Sequence, residues 1–250
     1  MKSPEEILEY TSDLSVAKVK KPLLSKLILA FIGGAMVSMG YMTYLRVAAA
    51  IPGGAGVLVG AALFPTGLVA IMLGGAELAT SNMMVVGLGY LRKRVTLKDV
   101  LLNWLTVTSM NIVGAIFVAG VLGIGAQVLT GKPYLDFAIN VAHHKIDVAF
   151  LTAFLSGIGC NWLVGMAAWV AYGAKDAAGK ILAIWFIITI FVVLGFQHSI
   201  ANSFVIPFAI FEGAATWGQF VGNFIPVFLG NVVGGVGLVS LLFSIAYKKH

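Results

Sequence analysis

Apolar residues in this chain gather into runs of membrane-crossing length, separated by short polar, charged or glycine-rich segments. An α-helix rises about 1.5 Å per residue, so roughly 20 apolar residues cross a bilayer core about 30 Å thick. By that measure residues 23–45 form a first span, whose Gly33, Gly34, Ala35 and Gly40 offer a small face for close helix approach. Ala48 to Ala55, with Pro52-Gly53-Gly54, reads as a turn. The apolar stretch from Gly56 to Leu91 is too long for one crossing. It divides into a half-helix over 56–73, an irregular segment over 74–82 and a second piece over 83–91. A third span covers 101–129 and a polar connection runs from Thr130 to Asp147. The fourth span covers 148–172. The fifth starts at Ile181, is interrupted over 195–203 and resumes from Phe204 to Phe211, and the sixth covers 220–247. Ahead of them all, residues 1–22 combine Ile7, Leu8 and Leu14 with Lys18, Lys20 and Lys21, the pattern of a helix lying at a membrane surface.

The two interruptions carry the candidate chemistry. Backbone that leaves the helix inside a bilayer needs new hydrogen-bond partners, so it occurs where it is buried in protein or lines a wet cavity. The first interruption holds Glu77, Thr80, Ser81 and Asn82; the second holds Gln197, His198, Ser199 and Asn202. An ionisable group such as His198 in a membrane segment points to a pathway or relay, against the alternative of a plain hydrogen bond across a helix interface. Glu77 either accepts main-chain hydrogen bonds that anchor the irregular backbone or belongs to a proton route. Three spans lie on each side of the 130–147 connection, and an odd number inverts the second set relative to the first. The expected fold is therefore all-α and integral to the membrane: one domain over 1–250, six transmembrane helices, and an inverted repeat of 23–129 and 148–247 in which helices 2 and 5 are broken.

Composition agrees with that reading. Hydrophobic residues make up 60% of the chain, charged residues 10%, and the mean hydropathy is +0.98, which places it with membrane proteins. The net charge of +6 comes without an aromatic-basic platform, so nucleic acid is not a partner. The charges follow topology instead. Of 16 Lys and Arg residues, all but Arg46, Lys132 and Lys145 fall on one side of the six-span arrangement, which puts both termini in the cytoplasm of a cell-membrane protein. Residues 1–21 show no cleavable signal. The single cysteine, Cys160, lies in an apolar run and reads as a packing residue. His143 and His144 have no carboxylate or cysteine at ligand spacing, so no metal is expected. No nucleophile-base pair or nucleotide loop is present, so neither an enzyme nor a cofactor is expected.

Three segments together resemble the formate/nitrite transporter family, which includes hydrosulfide channels: Gly75-Ala-Glu-Leu-Ala-Thr-Ser-Asn82, Lys145 with Gly159-Cys-Asn-Trp-Leu-Val164, and Gly195-Phe-Gln-His-Ser-Ile-Ala-Asn202. The resemblance implies an aquaporin-like protomer, a homopentamer and one substrate pore per protomer. It implies that Phe64, Leu68 and Phe191 constrict the outer side, and that Leu78 and Val164 do so toward the cytoplasm. Thr80 and His198 would face each other between them, with Asn161 and Lys145 supplying nearby polarity and charge. Two positions depart from the family pattern. Gln197 stands where Glu usually precedes the pore histidine, and Ala79 stands where Phe often follows the Leu of the first motif.

An anion entering apolar rings loses hydration that Phe and Leu cannot replace, and a bare buried charge is very costly. The expected substrate is a small monovalent weak-acid anion, with formate first and nitrite and hydrosulfide next. It would be drawn in by Lys145, unless that lysine is only a solvated or snorkelling side chain. It would meet His198, whose ordinary pKa near 6.5 suits proton exchange, and cross a constriction in protonated form. The rival mechanism keeps the anion charged and solvates it with freed backbone N–H groups. Channels for neutral solutes share two broken helices but carry paired Asn-Pro-Ala boxes, and this sequence has none.

Overall fold

The computed structural model describes residues 1–247, which contain helices and connections and no strand. Lys248 and Lys249, counted above toward the cytoplasmic side, lie outside the described residues. The first helix, α1 (Pro4–Lys20), opens with a capping box: the Ser3 hydroxyl accepts from the Glu6 N–H and the Glu6 carboxylate accepts from the Ser3 N–H, satisfying donors that a helix start otherwise leaves free. α2 (Leu23–Ala50) runs five residues beyond the predicted span, because the left-handed position suited to a chain reversal comes only at Gly53, φ +72°.

The stretch predicted as 56–91 begins with α3 (Gly54–Leu63) and α4 (Thr66–Gly74) and ends with α5 (Ala79–Leu91). α6 (Leu97–Phe117) continues as a π-helix over Val118–Gly125. It starts four residues before the predicted span because Thr96 and Asp99 form a second capping box. The polar connection from Thr130 to Asp147 contains α7 (Tyr134–Ile146). α8 (Phe150–Gly173), α9 (Ala177–Val193) and α10 (Ser199–Phe211) follow. α11 (Trp217–Val232) passes through a π-helix, Val233–Leu241, into α12 (Leu242–Ala246). Its start is fixed by a third capping box, Thr216 with Gln219. Five helical stretches among the described residues are long and apolar enough to cross a membrane: Leu23–Ala50, Gly54–Gly74, Leu97–Gly125, Phe150–Gly173 and Trp217–Ala246. α9 and α10 are apolar but shorter.

Two helix pairs pack with their backbones in near contact, and glycine is what permits it. A Cβ on Gly34 would lie 2.0 Å from the carbonyl oxygen of Asn111, which fixes α2 against α6. A Cβ on Gly230 would lie 2.1 Å from that of Phe154, which fixes α11 against α8. One helix sits differently from its sequence pattern. The apolar side of α1, expected to face lipid, packs on protein: Ile7 and Leu8 are buried with Met84, Val85 and Trp169. Its acidic Glu9 bonds Arg92 and Arg94 beyond the end of α5.

Candidate functional site

The candidate site forms where two short non-helical segments, residues 75–78 and 195–198, enter the interior. Each follows a glycine in the left-handed conformation that terminates a helix, Gly75 at φ +78° and Gly195 at φ +68°. Both segments are shorter than predicted. Thr80, Ser81 and Asn82 belong to the first turn of α5, while Ser199 and Asn202 belong to the first turn of α10. Helix resumes that early because one buried asparagine per segment satisfies the backbone. Asn111 Oδ1 accepts from the Ala79 N–H at 2.8 Å, and its Nδ2 donates to the carbonyls of Ala30 and Glu77. Asn231 repeats this, accepting from Ser199 N–H at 3.0 Å and donating to the carbonyls of Gly157 and Gln197.

Glu77 and Gln197 occupy matching places, each accepting from the asparagine five residues on, and differ in charge. Glu77 is 1% exposed, and its carboxylate accepts from Lys18 Nζ at 2.7 Å, Lys21 Nζ at 2.6 Å and Asn82 Nδ2 at 2.8 Å. It therefore anchors α1 through side chains, where the sequence pointed to main-chain donors or a proton route. Burial pulls the Lys18 ammonium below its usual range while Glu77 acts in the opposite sense. Gln197 accepts from Asn202 Nδ2 at 2.5 Å and from Asn223 Nδ2 at 3.4 Å, and donates to the Lys145 carbonyl at 3.1 Å.

His198 caps α10. Its Nδ1 accepts from the Ala201 N–H at 3.0 Å, which assigns the ring hydrogen to Nε2, and Nε2 lies 2.9 Å from Thr80 Oγ1. The predicted facing pair is thus in direct contact. Asn161 gives its amide hydrogens to carbonyls, of Thr80 at 3.1 Å and Asn231 at 2.7 Å, so it ties the start of α5 to the end of α11. Phe64, Leu68, Leu78, Val164 and Phe191, expected as two separate constrictions, surround one small cavity together with Val37, Ile188 and His198. Its volume is about 10 Å³, at the lower limit for a single water. Phe64 and Phe191 meet edge to face with ring centroids 5.6 Å apart.

A wider cavity of about 360 Å³ shares His198, Phe64 and Phe191 with the small one and is lined also by Tyr41, Lys145 and Gln197. The Lys145 ammonium donates to the carbonyls of Gly195 at 3.0 Å and Phe196 at 3.3 Å. Desolvation pulls its pKa down to about 8. A second cavity of about 190 Å³ adjoins residues 75–77 and is lined by Tyr10, Lys18, Lys21, Glu77 and Tyr172.

Comparison with known proteins decides the family. A model described as formate/nitrite transporter matches residues 5–245. The chain belongs to that family. It is 45% identical over 251 residues to formate channel BtFdhC of Bacillus thuringiensis, covering 99% of this chain and 96% of that protein. A solved structure described as an FNT family ion channel superposes with a TM-score of 0.92 at 24% identity, covering 97% of this chain and 99% of that one. Another, described as a pentameric formate channel with formate bound, gives 0.78 at 27% identity, covering 92% and 99%. With its membrane-length apolar helices, this member of the formate/nitrite transporter family is a multi-pass membrane protein.

Proposed function

We propose that each protomer is a channel for a small monovalent weak-acid anion, formate first, with nitrite and hydrosulfide as the nearest alternatives. The observation that carries this reading is His198, bonded to Thr80, which lines both the lysine-bearing cavity and the 10 Å³ apolar closure. In this proposal α3 to α5 and α9 to α10 are the broken second and fifth of six spans, in an aquaporin-like inverted repeat of 23–129 and 148–247. The chain assembles as a homopentamer in the cell membrane with both termini cytoplasmic, and residues 1–22 form a cytoplasmic segment.

An anion drawn in by Lys145 loses water as it nears Phe64 and Phe191. Desolvation disfavours a carboxylate's charged form and raises its pKa, so formate takes up a proton in the cavity and crosses the apolar ring of residues as the neutral acid. His198 assists without becoming charged. Its Nδ1 holds the Ala201 N–H, and its Nε2–H, shared with Thr80, donates to the substrate oxygens at the narrowest point. Passage is therefore coupled to proton movement. The test is flux in proteoliposomes of purified protein, comparing formate, nitrite and hydrosulfide with internal pH followed. Formate entry with matching acidification is expected. His198→Asn should slow it by roughly 2- to 10-fold, the value of a hydrogen bond to the neutral acid at about 0.5–1.5 kcal/mol. Unchanged rate and pH dependence in that variant would remove the histidine from the mechanism.

A further inference from the structure

The lysines beside the two non-helical segments are neutralised unequally. At residues 75–78 two ammonium groups, Lys18 and Lys21, meet one carboxylate, Glu77. At residues 195–198 one ammonium group, Lys145, meets two backbone carbonyls, and among the described residues it forms no ion pair. The formal balance is one positive charge in each place. What keeps it so is residue 197. Its Nε2 faces the Lys145 carbonyl, an acceptor, so an amide hydrogen bonds there where a carboxylate oxygen would be repelled. Glu77, its counterpart, faces only donors and is a carboxylate.

We propose that Gln197 is a specificity-determining residue: by presenting an amide rather than a carboxylate, it leaves Lys145 as an uncompensated cation that sets how readily the cavity captures monovalent anions. This rests on the channel reading above and assigns the capture step to a residue that does not itself touch the constriction. A carboxylate at 197 would bring the cavity's formal charge to zero and remove the focusing that a charged cleft exerts on an oppositely charged solute.

The experiment is formate uptake into proteoliposomes at pH 7, with the half-saturating concentration measured at low and high ionic strength for the wild type, Gln197→Glu and Gln197→Met. Gln197→Glu should raise the half-saturating concentration about tenfold at low salt, the lower end of the effect of electrostatic focusing. The difference should narrow as salt screens the cavity. Gln197→Met loses the bond to the Lys145 carbonyl and also those from Asn202 and Asn223, but adds no charge, so its half-saturating concentration should rise less than that of Gln197→Glu and its difference from the wild type should not depend on salt. An equal rise in Gln197→Met, a salt-independent difference in Gln197→Glu, or no rise in Gln197→Glu would each overturn the proposal. If Gln197→Glu does not assemble, Lys145→Gln reads the same charge: a salt-sensitive rise supports the proposal and an unchanged value overturns it. A wild type that carries no formate, nitrite or hydrosulfide would instead remove the channel reading itself.

Discussion

At the scale of single residues the interior is held by amides. Asn231 makes three hydrogen bonds, two of them to residues 197–199, and Asn111 makes three, two of them to residues 77–79. Replacing Asn231 with Leu strips the Ser199 N–H and the Gln197 carbonyl of their asparagine partner in a dry interior, at about 1–3 kcal/mol each. The expected outcome is a lower thermal midpoint in detergent, with a loss of that size, and a similar loss in Asn111→Leu. Lys145 carries a different expectation. Its pKa is lowered to about 8, so the ammonium is present below that value and lost above it. Anion uptake at fixed formate concentration should fall through a midpoint near pH 8, and Lys145→Gln should flatten that limb of the profile. Much of this site was legible in the sequence, because Thr80 and His198 are polar residues inside apolar runs. The bracing asparagines were less so. Asn111 and Asn231 stand inside apolar spans, outside the motif segments, although each lies 29 residues after the asparagine of its motif, Asn82 or Asn202.

At the scale of helices, length and apolar composition located most elements, while their ends were set by features that hydropathy does not weigh. Thr96 with Asp99, and Thr216 with Gln219, begin α6 and α11 earlier than the apolar runs suggest. The helix α7 was hidden in a polar stretch, since a connection with Lys132, Asp136 and two histidines carries no membrane signal. Glycine spacing was the better guide. Gly33 and Gly34 lie where α2 touches the carbonyls of Glu77 and Asn111, each at 2.0 Å from a would-be Cβ. Gly34→Ala must push α2 from α6 and displace Asn111 with it. Overpacking of this kind costs about 1–3 kcal/mol or more, and the expected result is a reduced yield of folded protein by size-exclusion chromatography. Gly74→Ala, where a Cβ meets nothing within 4 Å, should leave the yield unchanged.

At the scale of the whole chain, matching positions recur 120 residues apart: Gly75 and Gly195, Glu77 and Gln197, Asn82 and Asn202, Asn103 and Asn223, Asn111 and Asn231. The two sets share a hydrogen-bonding scheme and differ in charge. The first half draws its cations from outside its own spans, since Lys18 and Lys21 come from the end of α1 and the residue after it. That reach was not legible in the sequence, where a surface helix with terminal lysines is fully explained by contact with lipid headgroups. It has a bearing on how the protein can be dissected. A chain beginning at residue 22 removes both counter-ions of Glu77, 1% exposed in the intact protein, together with Tyr10, Leu14 and Ala17 beside it, and leaves its carboxylate unpaired, a change that costs up to about 3–5 kcal/mol. Such a chain should show a lowered thermal midpoint, partly restored by Glu77→Gln. Flux lost on trimming the amino terminus would therefore report an unpaired charge at Glu77, because the amino-terminal segment is a structural counter-ion.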